Sequence, residues 1–485
     1  MTLLVGDLLT DAAAVNPEGT AATLGSNQVT YRQLERQASA MTAGLLARVA
    51  PGERVVWWSD ADLRSLAGFA AVARAGTVFA PLNPAFSGGE AGAAVEYLRP
   101  SLIVADAAHL DAARTLGAAV ASIDDLEKGV PVAAGDLPLI DERSPQIVYL
   151  TSGTTGQPKG VVVSHRASWL RSFPGGSTFA AGLNGEGGIL VSFPLFHYGG
   201  WHYVLEAWHH RCAFHACRRF DGPSLVEAAA RHSPVAMYCI PAVWNRVLAE
   251  TPTGAGLESI RHADTGTSAA PASLIAALRS AMPAATTSVL YGSSEGGHHT
   301  TLHHRDHDSH PGSVGRVAPP GVIRLSEEGE ILYRSPTLMD GYLDRPDETA
   351  AALAGGWYHT GDLGTMDADG FIYITGRAKE VIRTGGETVA PVEVEQALSG
   401  LPGAAEVAVI GVPHQDWGEV VCAVVVPSGE GGAPIDVAFV RSYLGSRLSA
   451  FKHPRLVVSV DSIPRTPATG QVQRTLLRDV VSAKL

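Results

Sequence analysis

Residues 149–160 read Tyr-Leu-Thr-Ser-Gly-Thr-Thr-Gly-Gln-Pro-Lys-Gly. The stretch follows an apolar run at 146–150 and packs hydroxyls, glycines and one lysine into a single loop. Glycines such as Gly153 and Gly156 let a backbone bend around a bulky anion and turn its N–H groups inward. The hydroxyls of Thr151, Ser152, Thr154 and Thr155 add donors for phosphate oxygens, and Lys159 adds a point charge. In composition this is a phosphate-handling loop. It is not the common one, which needs Gly-x4-Gly-Lys-Ser/Thr, because Pro158 stands five residues after Gly153. By composition alone, a polar Ser/Thr/Gly loop is as readily a linker.

The bulk of the chain narrows the classes. At 485 residues it exceeds what one hydrophobic core organises, so two or three domains are expected. A net charge of −12 argues against nucleic acid as the main partner, since phosphate backbones need basic surfaces. No run of about 18 apolar residues is present, so no membrane span is expected. Asp7 and Asp11, without a basic segment, do not read as a signal peptide. Cys212, Cys217, Cys239 and Cys422 are too few and too scattered for a disulfide framework. The expectation is a cytoplasmic enzyme, monomer or homodimer.

Short apolar runs alternate with Ala/Leu-rich helical stretches over 50–150, and the alternation continues through runs at 188–193, 235–240 and 287–291. That pattern predicts a parallel α/β architecture. From 329 the texture turns to short Gly-flanked strands at 330–334 and 371–375, which predict an antiparallel sheet. After Gly376 comes a smaller α+β unit. It has a helix at 391–399 opening on Pro391, strands at 406–412, 420–426 and 456–460, and a helix at 436–448.

Further segments give the loop its meaning. Tyr-x-Thr-Ser-Gly-Thr-Thr-Gly-x-Pro-Lys-Gly resembles the signature loop of the adenylate-forming superfamily, which includes acyl-CoA synthetases, peptide-synthetase adenylation domains and luciferases. Segments 29–34 and 75–84 resemble the family's early structural motifs, and 193–200 (Phe-Pro-Leu-Phe-His-Tyr-Gly-Gly), 291–295 (Tyr-Gly-Ser-Ser-Glu), 358–364, 376–380 and 385–387 resemble its later ones, in order. The resemblance implies an α/β fold. A large N-terminal domain, 1–378, carries parallel α/β subdomains and a small β-barrel-like sheet. A mobile α+β lid, 379–485, would be hinged at Lys379.

It further implies an ATP- and Mg2+-dependent ligase that activates a carboxylic acid as acyl-AMP. The acyl group then passes to coenzyme A or to the phosphopantetheine of an acyl carrier protein. His197 would gate the acyl pocket, Tyr291 would face adenine, and Asp264 and Gly266 would lay backbone against the base. Ser294 would reach the α-phosphate, with Glu295 and Thr151 as Mg2+ ligands. Asp362 would accept from the ribose hydroxyls beside Arg377, and Gly386 would approach the acceptor thiol's channel.

One position departs from the pattern. In the family a lysine follows Gly470 and bridges carboxylate and phosphate during adenylation, whereas here Gln471 stands there. An amide donates hydrogen bonds but supplies no charge, so slowed adenylation is expected. Outcomes not involving a thiol, such as nitrite-dependent diazotisation or β-lactone closure, and a nucleotide-binding relative with little turnover are the alternatives.

No acid follows Phe193 to hold an α-ammonium, which favours a simple carboxylic acid over an amino acid. Tyr203, Tyr238, Cys239, Gly296, His298 and His299 are candidates to line its pocket. Six histidines crowd 298–310, and His209, His210, Cys212, His215 and Cys217 form a second group. Their spacing matches neither a zinc finger nor a knuckle, so a partly exposed loop near the substrate is expected rather than a metal centre.

Overall fold

The structure is a computed structural model, and it describes residues 2–132, 134–151, 159–173, 187–268, 270–429, 435–445, 447–466 and 470–485. The chain divides into two compact units, Met1–Val322 with Tyr333–Tyr358, and Ile323–Leu332 with His359–Leu485. No helix among the described residues is long and apolar enough to cross a membrane.

Among the described residues, the first unit contains a seven-stranded and a nine-stranded sheet. In the seven-stranded sheet, Pro145–Thr151, Val78–Pro81, Arg54–Trp58, Leu102–Ala105 and Ala119–Ser122 run parallel. The three strands Val78–Pro81, Arg54–Trp58 and Leu102–Ala105 bury their Val/Ile/Ala runs on both faces, as a helix-covered parallel sheet requires. Lys159–Ser164 folds back antiparallel on Pro145–Thr151, and Gly341–Tyr342 pairs with it at the edge. In the nine-stranded sheet, Val289–Ser293, His262–Gly266, Ala236–Tyr238, Gly188–Val191, Ala213–Ala216 and Thr20–Leu24 run parallel. Antiparallel strands close its edges, Gly297–Leu302 and Arg316–Val317 on one side and Asn27–Thr30 on the other.

Helix Arg64–Arg74 is buried at every residue after its first, which suits an Ala-rich helix enclosed on all sides. Phe69 on this helix stacks on Trp201 of helix Tyr198–His210 at 4.2 Å, and both rings meet Phe79 of strand Val78–Pro81 at 5.2 Å. Capping is locally encoded. Thr30 and Ser87 each close a capping box with the residue three positions on, Gln33 and Glu90.

The second unit holds the body of a four-stranded sheet, Val322–Leu325, Glu330–Arg334, Tyr358–Met366 and Ile372–Arg377. It also holds a separate sheet built on Ala404–His414 and Gly418–Pro427, with helices Pro391–Ala397, Val437–Leu444 and Arg474–Ser482. Two apolar clusters lie on this second sheet, one around Ile410 and Val424, the other around Val409 and Ala423, so alternate residues of each strand serve opposite cores.

The strands anticipated at 330–334 and 54–58 match the observed bounds, while the helix expected over 436–448 stops at Leu444, where Gly445 takes φ +50°. Compactness groups the four-stranded sheet with the C-terminal residues, whereas the sequence reading placed it ahead of a hinge at Lys379.

Candidate functional site

Thr151 and Lys159 face each other across the last pair of the hairpin formed by Pro145–Thr151 and Lys159–Ser164, and Thr151 Oγ1 donates to Lys159 O at 3.3 Å. Ser152, Gly153, Thr154, Thr155 and Gly156, between them in sequence, lie outside the described residues. The Lys159 ammonium forms an ion pair with Glu348 and lies 4.9 Å from the centre of the Tyr342 ring. Arg345 Nη1 binds the other oxygen of Glu348 at 2.7 Å. The hydrogen bond from Lys159, then that from Arg345, holds the Glu348 carboxyl below the usual carboxylate range.

Tyr342 OH donates to Glu295 Oε1 at 3.0 Å. Burial first, and then the Glu295 charge, push the Tyr342 hydroxyl well above its ordinary value, so it stays a donor. A cation, a phenol and a carboxylate are thus linked at the mouth of the hairpin.

The segment carrying Ser294 and Glu295 leaves strand Val289–Ser293 after a bulge between Tyr291 and Gly292. Its carbonyls are held by a residue that the sequence reading missed. Arg171, 7% exposed at the end of helix His165–Arg171, donates from Nη1 to Ser294 O (3.0 Å) and from Nη2 to Glu295 O (2.8 Å). Its Nε donates to Thr337 O at 2.8 Å, and Met339 N bonds Glu295 O at 2.7 Å. Nothing in the sequence distinguishes Arg171 from a solvated arginine at a helix end. Only the fold supplies three carbonyls for its planar fork.

His298 and His299 do not sit in a partly exposed loop, which corrects the expectation. They belong to strand Gly297–Leu302, with His299 fully buried against Tyr291 (5.1 Å), Tyr333 (4.2 Å) and Tyr358 (6.0 Å). Burial lowers the His299 pKa to about 3, so the ring is neutral. His298 Nε2 contacts Thr300 O and Thr301 Oγ1, both at 2.9 Å. Farther along, His307 Nε2 contacts Thr287 O and His304 Nδ1 accepts from Thr287 N, so these rings tie turns to the sheet.

His197 caps helix Tyr198–His210, its Nδ1 accepting from Gly199 N at 3.1 Å. Its ring stacks on Phe193 at 5.2 Å, Phe193 stacks on Tyr238 at 5.2 Å, and Tyr238 meets Tyr203 at 5.4 Å. Asp264 is fully buried, and its Oδ1 accepts from Ser288 N at 2.8 Å, a bond that ties neighbouring strands. Gly266, at the end of the same strand, packs so closely that a Cβ there would lie 2.0 Å from Leu290 O. Cys239 lies wholly within the core. A cavity opens beside Arg171, lined also by His202, Tyr203, Glu206, His298 and Tyr333.

In the second unit Asp362 and Arg377 are register partners on adjacent strands, and Arg377 Nε lies 3.0 Å from Asp362 Oδ1. Lys379 is exposed. Gly386, at φ +85° in the turn between Ile382–Thr384 and Glu387–Val389, has no atom within 4 Å of a notional Cβ. Gln471 N donates to Thr466 Oγ1 at 3.0 Å, and Thr466 N bonds back to Gln471 O at 2.8 Å. Among the described residues neither histidine-rich segment brings three metal-ligating atoms together. The grouping that does, Asp60 with Asp106 and His109, has both His109 nitrogens in contact, with Asp106 Oδ1 (2.6 Å) and Pro84 O (3.1 Å).

The family model of the AMP-binding enzymes matches residues 9–343, and that of the AMP-binding enzyme C-terminal domain matches 393–469. The chain is 30% identical to the long-chain-fatty-acid–CoA ligase FadD13 of Mycobacterium tuberculosis, over 99% of both chains. It is 31% identical to the indoleacetate–CoA ligase of Aromatoleum aromaticum, over 97% of both. The crystal structure of ATP-bound MatB from Rhodopseudomonas palustris superposes with a TM-score of 0.90 at 26% identity, over 99% of both. The chain belongs to the AMP-binding enzymes, the adenylate-forming superfamily, and stands close to the acyl-CoA synthetases.

Proposed function

We propose that this protein activates a carboxylic acid as its acyl-AMP and then passes the acyl group to the thiol of coenzyme A. It is an AMP-forming acid–thiol ligase. The observation that carries the reading is the linked set Lys159, Tyr342 and Glu295, in which one phenol joins a cation of the signature motif to a carboxylate.

In the first step a carboxylate oxygen attacks the α-phosphorus, and the bond to pyrophosphate breaks. Lys159 is suited to leave Glu348 for the phosphates, since both are charged and Glu348 is retained by Arg345. Ser294 offers a hydroxyl to the α-phosphate and Tyr291 a face to adenine. The oxygen donors of Glu295 and Thr151 suit Mg2+, which, when bound, offsets the charge of the phosphates. The Arg171 fork fixes the backbone that carries Ser294 and Glu295, so alignment is set before substrate arrives.

In the second unit, Asp362 beside Arg377 suits the vicinal diol of ribose. Lys379 is the proposed pivot between half-reactions, and Gly386 the residue near the thiol. In the second step the thiol sulfur attacks the acyl carbonyl, loses its proton, and AMP leaves.

Relatives named for a long-chain fatty acid, indoleacetate and ferulate do not converge on one acid. The test is pyrophosphate release over a panel of carboxylic acids, followed by AMP release with and without coenzyme A. Acid-dependent pyrophosphate with thiol-dependent AMP is expected. AMP release indifferent to the thiol would overturn the thioester assignment.

A further inference from the structure

The chain supplies Lys159 with an anion of its own. Its ammonium pairs with Glu348 and lies 4.9 Å from the centre of the Tyr342 ring. The Lys159 side chain is 19% and that of Glu348 36% exposed, so solvent screens the pair only in part. Thr349, the next residue on helix Pro346–Ala352, fixes where the carboxylate stands. Its Oγ1 accepts from Tyr342 N at 2.9 Å and donates to Arg345 O at 2.8 Å, which sets Tyr342, Arg345 and Glu348 on one turn. Tyr97 of helix Gly88–Leu98 ties that turn to the hairpin. Its hydroxyl donates to Leu343 O at 2.8 Å and accepts at 3.1 Å from the N–H of Gly160, the residue after Lys159.

A carboxylate and a phosphate are rival acceptors for one ammonium. A polyphosphate that reaches Lys159 must displace Glu348, and its apparent affinity is scaled down by the fraction of time the ammonium is unclaimed. Arg345 moderates the contest. Its Nη1 donates to the other oxygen of Glu348 at 2.7 Å, so the carboxylate keeps a cation when Lys159 leaves. Take that guanidinium away and Glu348 depends on Lys159 for its countercharge, so it holds harder. Take the carboxylate away and its claim on the ammonium is gone.

We propose that Glu348 is a built-in competitor for Lys159, displaced when a polyphosphate binds and reclaiming the ammonium when pyrophosphate leaves, with Arg345 setting the strength of the contest. This rests on the reading that Lys159 meets the phosphates of ATP. With Ser294 assigned to the α-phosphate, the outer phosphates fall to Lys159, so the contest acts on ATP and pyrophosphate and spares AMP. The test titrates MgATP, magnesium pyrophosphate and AMP calorimetrically into the full chain, Glu348→Gln, Arg345→Gln and the double variant.

Glu348→Gln should bind MgATP and magnesium pyrophosphate about threefold to tenfold more tightly than the wild type. Arg345→Gln should bind both more weakly, and in the double variant its effect should vanish, because the carboxylate it acts through is gone. AMP should bind all four proteins alike. Opposite signs from neighbouring residues are not what general damage to the turn produces. Should Glu348→Gln fail to fold, Glu348→Ala takes its place with the same expected gain. Unchanged or weakened MgATP binding on neutralising Glu348, or an equal gain for AMP, overturns the proposal. Acid-dependent pyrophosphate release by the wild type separates the two readings. Release together with unaltered MgATP affinity in Glu348→Gln sinks the competition alone, and the expected affinities without release from any acid sink the ligase reading alone.

Discussion

At the scale of single residues, Arg171 and Gln471 have opposite consequences. Arg171 satisfies three carbonyls with one rigid fork, and a lysine in its place keeps the charge but cannot span them. Arg171→Lys should therefore destabilise the fold by about 2–3 kcal/mol in urea denaturation. It should also raise the KM for MgATP, because the segment carrying Ser294 and Glu295 loosens. Unaltered stability and KM would mean the fork holds nothing of consequence. At Gln471 the resemblance to the superfamily's motif implies a lysine, and the amide that stands there supplies no charge. Gln471→Lys should speed acid-dependent ATP–pyrophosphate exchange by about tenfold or more. An unchanged exchange rate would show that adenylation here does not depend on charge at that position.

At the scale of elements, two neighbouring strands of the nine-stranded sheet pack closely. Strands His262–Gly266 and Val289–Ser293 run side by side, and a Cβ on Gly266 would sit 2.0 Å from Leu290 O. Backbone cannot yield as a flexible side chain does, so Gly266→Ala should cost about 3 kcal/mol or more. A cap far from the site offers a comparison. Ser87 accepts from Glu90 N at 3.3 Å in its capping box, and Ser87→Ala should cost about 1 kcal/mol while leaving turnover intact. Equal losses in the two variants, measured by chemical denaturation, would show that the tight approach at Gly266 is not what holds these strands.

For the whole molecule, buried histidines set the response to acid. His165, His215 and His299 are buried, and desolvation lowers their pKa values from 6.5 to about 4, 3 and 3 respectively. Below pH 6.5 the unfolded chain binds protons that these folded rings refuse. Their contribution is therefore fully present above 6.5 and is lost as pH falls toward 3, at about 1.4 kcal/mol per unit and per ring. Urea midpoints should fall steeply between about pH 7 and pH 4, and a flat profile would contradict this. The two units also have separate apolar cores, so calorimetry should show a van't Hoff enthalpy below the measured one. A single two-state transition would show that the units unfold as one.

The sequence by itself determined the parallel α/β core, the smaller C-terminal unit, the signature loop and the order of the motifs. These are local signals: apolar runs, punctuating glycines, caps, and residue types whose chemistry is carried by each side chain. Strand Arg54–Trp58 was legible in that way. Tertiary structure alone decided which side chains meet. Arg171 lies 123 residues from Ser294, and Tyr342 lies 47 from Glu295, separations at which no periodicity or spacing carries information. The same holds for His299, whose neighbours suggested an exposed loop until the sheet edge buried it among Tyr291, Tyr333 and Tyr358. Burial and long-range contact are properties of the packed chain, and they fix the protonation of a ring and the partner of a guanidinium.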